Sequence, residues 1–156
     1  MEMPKLSELD ESQLHVLRSC LAKFMAMAEA QVPEPPEDAD TSEIADILVE
    51  NWRKEEAPEL DESSMASIVG CMCGELLRSY LRVRWMWAAD EFGEGLALWG
   101  ELNDETLILY PIDSVEKRLQ EPGQTLTEWV FSMLEQENVQ KFLRPEDEDA
   151  PSIFED

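Results

Sequence analysis

The sequence predicts an α+β domain: a three-stranded antiparallel meander packed by a central helix, with further helices flanking it on the N- and C-terminal sides. Three observations carry that prediction. Residues 65–81 hold the strongest apolar stripe at helical spacing, the period switches to two from Val83, and amphipathic segments lie both before and after the strands. At 156 residues and 44% hydrophobic composition the chain has enough apolar material for one core.

The first helix is predicted over 12–30. Leu14, Leu17, Leu21, Phe24, Met25 and Ala28 follow helical spacing, and Asp10 or Ser12 is available as N-cap. "QVPEPPEDAD" (31–40) reads as an extended acidic linker. In "TSEIADILVENW" Asp40 and Glu43 form a capping box, and Ile44, Ile47, Leu48 and Trp52 share a face. A second acidic linker covers 54–62. The central helix then places Met65, Ile68, Val69, Met72, Cys73, Leu76, Leu77, Tyr80 and Leu81 in one stripe. Beside it, Ala66, Gly70 and Gly74 recur every four residues. A mid-helix glycine costs about 1 kcal/mol relative to alanine, so this smooth ridge predicts close approach of another element.

The strands are "VRWMWAAD", "LALWG" and "TLILYP", joined by turns in "DEFGEG" and "ELNDE". Trp85 and Trp87 share a strand face and are predicted core. Trp99, on the next strand, fits either core or a binding surface. "PIDSVEKRLQ" starts a short helix with Asp113 as N-cap, "EPGQ" breaks it, and a final helix runs over 125–143 from a Thr125/Glu128 capping box. Its inward residues are Leu126, Trp129, Val130, Met133 and Leu134. Residues 1–144 thus form one domain, and 145–156 an acidic tail, expected to be flexible, with an apolar spot at Ile153 and Phe154.

The net charge of −24 is unevenly spread. Residues 1–64 carry 17 acids and 5 bases, whereas 65–89 carry only Glu75 against Arg78, Arg82 and Arg84. Residues 90–121 and 122–156 each carry 9 acids and 2 bases. The segment stripped of acid is the predicted buried centre. Such acidity disfavours direct contact with nucleic acid or an anionic membrane surface. It is equally compatible with a well-solvated surface and with long-range attraction to a basic partner. The N-terminal residues lack the pattern of a signal peptide, no apolar run has the length of a membrane span, and three cysteines make no disulfide framework. A cytoplasmic address is expected.

Chemistry is sparse. Cys71 and Cys73 sit two apart on the central helix, so their side chains diverge by about 200°. Neither a shared metal nor a disulfide between them is expected. Cys73 falls in the apolar stripe, while Cys71 falls in line with Ser67, Glu75, Arg78 and Arg82. Cys20 and His15, the other potential ligands, are five apart and do not share a helix face. No GxSxG, P-loop, GxGxxG or HExxH occurs. No catalytic residue, cofactor or metal is therefore assigned.

The run from "GCMCGELLRSYLRVRWMWAADEFGEGLAL" to "LYPIDSVEKRL" resembles an uncharacterised bacterial domain family, the domain-of-unknown-function 3806 type. The matching positions are Gly70, Gly74, Glu75, Trp85, Asp90, Gly93, Pro111, Lys117, Arg118 and Leu119, within roughly 64–121. The resemblance implies a bacterial origin and a compact α+β unit, and brings no activity with it.

The functional expectation is a non-enzymatic, acidic interaction protein that binds a basic partner protein. Its sharpest form is a bacterial immunity protein neutralising a toxin. The expected partner-binding residues are Asp90, Glu91, Glu94, Trp99, Glu101, Asp104 and Glu105, which cluster around the two hairpin turns. The alternative is a regulatory or chaperone-like adaptor that contacts its client through the sheet face or the Ile153 and Phe154 tail. A weaker alternative is a small enzyme, which requires a pocket gathering Arg78, Arg82 and Arg118 with acids.

Overall fold

The computed structural model describes residues 4–121 and 123–153. In chain order the elements are β1 (Lys5–Ser7), α1 (Glu11–Gln31), α2 (Thr41–Lys54), α3 (Glu62–Tyr80), β2 (Arg84–Asp90), β3 (Gly93–Leu102), β4 (Glu105–Leu109), α4 (Pro111–Gln120), α5 (Leu126–Glu135) and α6 (Glu137–Gln140). The architecture is α+β. The sheet has four antiparallel strands in the order β1-β2-β3-β4, one more than the expected three. The additional strand is the short "KLS" segment, with Lys5, Leu6 and Ser7 opposite Ala89, Ala88 and Trp87. It occupies the edge of β2 that a three-stranded sheet leaves open.

Side-chain caps fix most helix starts. Asp10 with Gln13, Asp40 with Glu43, and Thr125 with Glu128 each form a reciprocal capping box. Asp61 caps α3 through the Ser64 amide. The predicted cap Asp113 lies instead inside α4, which begins at Pro111 with Tyr110 at the N-cap. Proline at the first helical position loses no hydrogen bond, and its fixed φ suits the helix. The predicted final helix is divided at Gln136, an extended residue at φ −65°, ψ 135° between α5 and α6. Asp46 joins two layers: its carboxylate accepts from the Leu126 and Thr127 amides and the Thr127 hydroxyl, holding the start of α5 against α2.

One hydrophobic cluster runs from Leu17 on α1 through α2, α3 and the helix-facing side of the sheet to Phe142. α3 is its axis. A Cβ added at Gly70 would lie 2.6 Å from Ile112 Cα, and one at Gly74 would overlap the Trp85 ring and stand 3.2 Å from Pro111 Cγ. The glycine ridge therefore seats both the start of α4 and the Trp85 ring. Next to it, Glu75 accepts from Trp85 Nε1 at 2.8 Å and from Arg78 Nε and Nη2 at 2.7 and 3.0 Å. Arg78 is only 7% exposed, so this carboxylate neutralises an otherwise isolated buried charge.

The chain returns to α3 at its C-terminal side. Arg82 N–H donates to Phe142 O, Arg144 N–H to Tyr80 O, and Arg144 Nε to Arg78 O. Glu148 then meets Arg82 and Arg144, and the Ile153 carbonyl accepts from Arg18 Nε at 2.8 Å while its side chain packs against the core. Phe154, the other half of the tail's apolar spot, lies outside the described residues. Among the described residues no helix is long and apolar enough to cross a membrane.

Candidate functional site

The register of the sheet sorts the tryptophans. Trp85 and Trp87 pair with Leu98 and Leu96 on the helix-facing side, whereas Trp99 pairs with Arg84 on the opposite side. Trp85 is buried, but Trp87, nearer the β2–β3 turn, is half-buried. A cleft of about 480 Å³ opens there. Its walls come from four places: Trp87, Asp90, Phe92, Glu94 and Leu96 from the β2–β3 hairpin; Tyr110, Ile112 and Asp113 from the start of α4; Ser67 from α3; and Val16 from α1.

Local sequence explains this shape. The β2–β3 turn is tight because Asp90 Oδ1 accepts from the amides of Phe92 and Gly93, at 2.8 and 3.0 Å. Gly93 has φ of +151°, a conformation that L side chains rarely adopt. The turn thereby projects Phe92 outward at 88% exposure, the most exposed large apolar side chain described, and Val16 is 51% exposed on α1. Phe92 and Val16 thus leave aromatic and aliphatic surface at the cleft.

The electrostatics are one-sided. Three carboxylates, Asp90, Glu94 and Asp113, line the cleft, and no lysine, arginine or histidine does. Among the described residues, none of the three carboxylates takes part in a salt bridge. Tyr110 feels this field: burial, then the charges of Asp90 and Asp113, hold its phenol above the usual tyrosine range.

The seven sequence-predicted residues divide between two places. Asp90 and Glu94 line the cleft, and Glu91 is exposed on the same turn. Trp99, Glu101, Asp104 and Glu105 lie at the opposite end of the hairpins. There Asn103 and Asp104 adopt positive φ (48° and 68°) in the β3–β4 turn, Glu105 is paired with Lys141 Nζ at 2.9 Å, and the Arg84 guanidinium covers the Trp99 ring at 5.5 Å. Sequence reading did not single out Phe92 and Tyr110, gave Asp113 only a helix-capping role, and assigned Trp87 to the core. The signal for Phe92 was present in "DEFGEG": a large aromatic inside a turn has no strand neighbour to bury it.

The arginines are not gathered into one pocket. Arg78 is bound by Glu75, and Arg82 by Glu148. Arg118 lies in a separate cleft of about 200 Å³ with Arg53, Asp46 and Glu50. Its Nη1 and Nη2 donate to Ser114 O and Gln124 Oε1, and it stacks over Trp129 at 5.0 Å. Arg53 donates to Glu50 and to Arg118 O. Among the described residues no three His, Cys, Asp or Glu side chains converge to hold a metal ion.

No family model, no curated protein and no solved structure matches this chain.

Proposed function

We propose that this is a non-enzymatic interaction protein that captures a basic partner protein by seating a lysine or arginine side chain of that partner in the β2–β3 cleft. The observation that carries the reading is the cleft's composition: three carboxylates that take part in no salt bridge among the described residues, no base in the lining, and walls of Trp87, Phe92 and Tyr110. A cationic side chain satisfies both halves of such a site. Its charged head meets the carboxylates and the aromatic faces, and its aliphatic stem packs on the apolar wall. The net charge of −24 supports the same reading at long range, raising the encounter rate with a basic surface and repelling acidic competitors.

In its narrower form the partner is a bacterial toxin and this chain its immunity protein, blocking a basic surface by occupying it. The bacterial origin that the resemblance of residues 64–121 implies would suit that setting. The test is affinity capture with two baits, the wild-type chain and one carrying Glu94→Lys and Asp113→Lys. A basic protein held by the first at low salt, released at high salt and absent from the second is the expected result. Equal retention by both baits contradicts the assignment.

A further inference from the structure

Helix α4 joins the β2–β3 cleft to a smaller one. Asp113 near its start lines the first, and Arg118 near its end lines the second, together with Asp46, Glu50 and Arg53 of α2. At about 200 Å³ the second cleft is below the range of roughly 300–1,000 Å³ typical of pockets for drug-sized ligands, so its occupant is small. Its acids are already engaged. Asp46 accepts from the Leu126 and Thr127 amides and the Thr127 hydroxyl, and Glu50 pairs with Arg53 at 3.0 Å. Arg118 is different: in a chain with 36 acids and 12 bases, it forms no salt bridge among the described residues.

Hydrogen bonding also leaves this guanidinium short of acceptors. Nη1 donates to Ser114 O at 2.8 Å and Nη2 to Gln124 Oε1 at 2.9 Å. Nε is buried without an acceptor, the only side-chain nitrogen or oxygen of its kind among the described residues. Leaving a buried donor unpaired is costly, and an acceptor brought by a ligand relieves that cost. Stacking on Trp129 fixes the plane of the group. Gln124 has to turn its oxygen to Arg118, because a guanidinium only donates. Its Nε2 amide is thereby left as a donor, with no acceptor among the described residues. Burial lowers the Arg118 pKa from the ordinary arginine value, an effect that a bound anion opposes.

We propose that this cleft between α2, α4 and the start of α5 binds one small oxyanion, a phosphate or carboxylate group, through the Arg118 guanidinium, Arg53 and the Gln124 side-chain amide. Arginine is matched to such groups because its planar fork offers parallel N–H donors to two oxygens, and here Trp129 holds the fork in place. Arg53 is anchored beside it by its own donation to Arg118 O. The acids in the lining are bonded to donors of their own, Glu50 to Arg53 and Asp46 to the start of α5. The α5 N-terminus takes no part, because Asp46 already caps its first amides. At a net charge of −24 the chain as a whole repels anions, so short-range hydrogen bonds carry the affinity. The site is separate from the β2–β3 cleft and does not depend on what that cleft binds.

The test is a titration of the ¹⁵N-labelled wild-type chain at constant ionic strength and neutral pH. Sodium chloride is replaced by sodium phosphate in one arm and by sodium acetate in the other. The expected result is saturating shifts of the Arg118 Nε–H and of the backbone amides at 118 and 123–126 in at least one arm, with residues 90–96 unmoved. The arm that saturates names the group taken: phosphate, carboxylate or both. Arg118→Lys keeps the charge and loses the fork, and should weaken binding by about 10-fold. Arg53→Gln should weaken it by a similar factor. No saturation in either arm, saturation centred elsewhere, or unchanged affinity in either variant would overturn the proposal. The wild-type arms and Arg53→Gln give the answer even if Arg118→Lys does not fold.

Discussion

The two ends of the β2–β3–β4 meander have much the same composition and differ in shape and in part of their pairing. At the β2–β3 end, Asp90, Glu94 and Asp113 line a cleft with no basic residue in its walls and take part in no salt bridge among the described residues, and Phe92 stands out from the turn. At the β3–β4 end Glu105 is paired with Lys141 and Trp99 lies under Arg84. A count of acids and aromatics along the sequence ranks the two ends equally. Pairing ranks them differently: a carboxylate or ring already satisfied within the chain has less to offer a partner.

The largest expected effect removes the scaffold both ends share. Glu75→Ala strips the Arg78 guanidinium and the Trp85 indole of their acceptor, leaving a buried charge unmatched. A loss of about 3–5 kcal/mol of stability is expected, read from the urea midpoint. A change below 1 kcal/mol, of the size seen for exposed pairs, would mean these contacts do not position the sheet.

Next is a crossed pair of aromatic truncations. Phe92→Ala should weaken partner binding by about 30-fold, a hot-spot loss of roughly 2 kcal/mol, with stability changed by less than about 0.5 kcal/mol because the ring is exposed. Trp99→Ala should do the reverse, lowering stability through its lost packing while leaving binding unchanged. Titration calorimetry and denaturation on both variants separate the two ends.

A smaller effect comes from neutralising acids. Glu94→Gln with Asp113→Asn should weaken binding of a basic partner on the order of 10-fold and flatten its salt dependence. Glu101→Gln with Asp104→Asn should stay within about twofold, because neither residue lines the cleft. Equal losses from the two doubles would erase the distinction between the ends.

The smallest effect is spectroscopic. Of the two tyrosines, Tyr110 should ionise above pH 10, and Asp90→Asn or Asp113→Asn should bring it back down. The sign follows from linkage: the folded state holds the phenolic proton more tightly than the unfolded chain. That contribution to stability is complete below pH 10 and fades as pH rises through the folded value. Alkaline absorbance titration, with Tyr110→Phe to assign the transition, checks it.

Much of the fold was legible because its signals are local. Three capping boxes or caps, at Asp10, Asp40 and Thr125, mark helix starts by side-chain chemistry that spans only three residues. Gly70 and Gly74 announced a close contact, though only the structure identifies Ile112, Pro111 and Trp85 as what approaches. β1 was not legible: three residues carry too little alternation, and the strand exists because β2 offers it an edge. The cleft was half legible. Asp90 and Glu94 lie in a recognisable turn, but Tyr110, Asp113, Val16 and Ser67 join them only through tertiary packing.

The most direct measurement follows backbone amide shifts of the ¹⁵N-labelled chain during titration with a hexalysine peptide at physiological salt. The account predicts that shifts concentrate at residues 87–96 and 110–113, saturate, and are absent at 101–105. Shifts spread evenly over the acidic surface, or centred on 101–105, would contradict it.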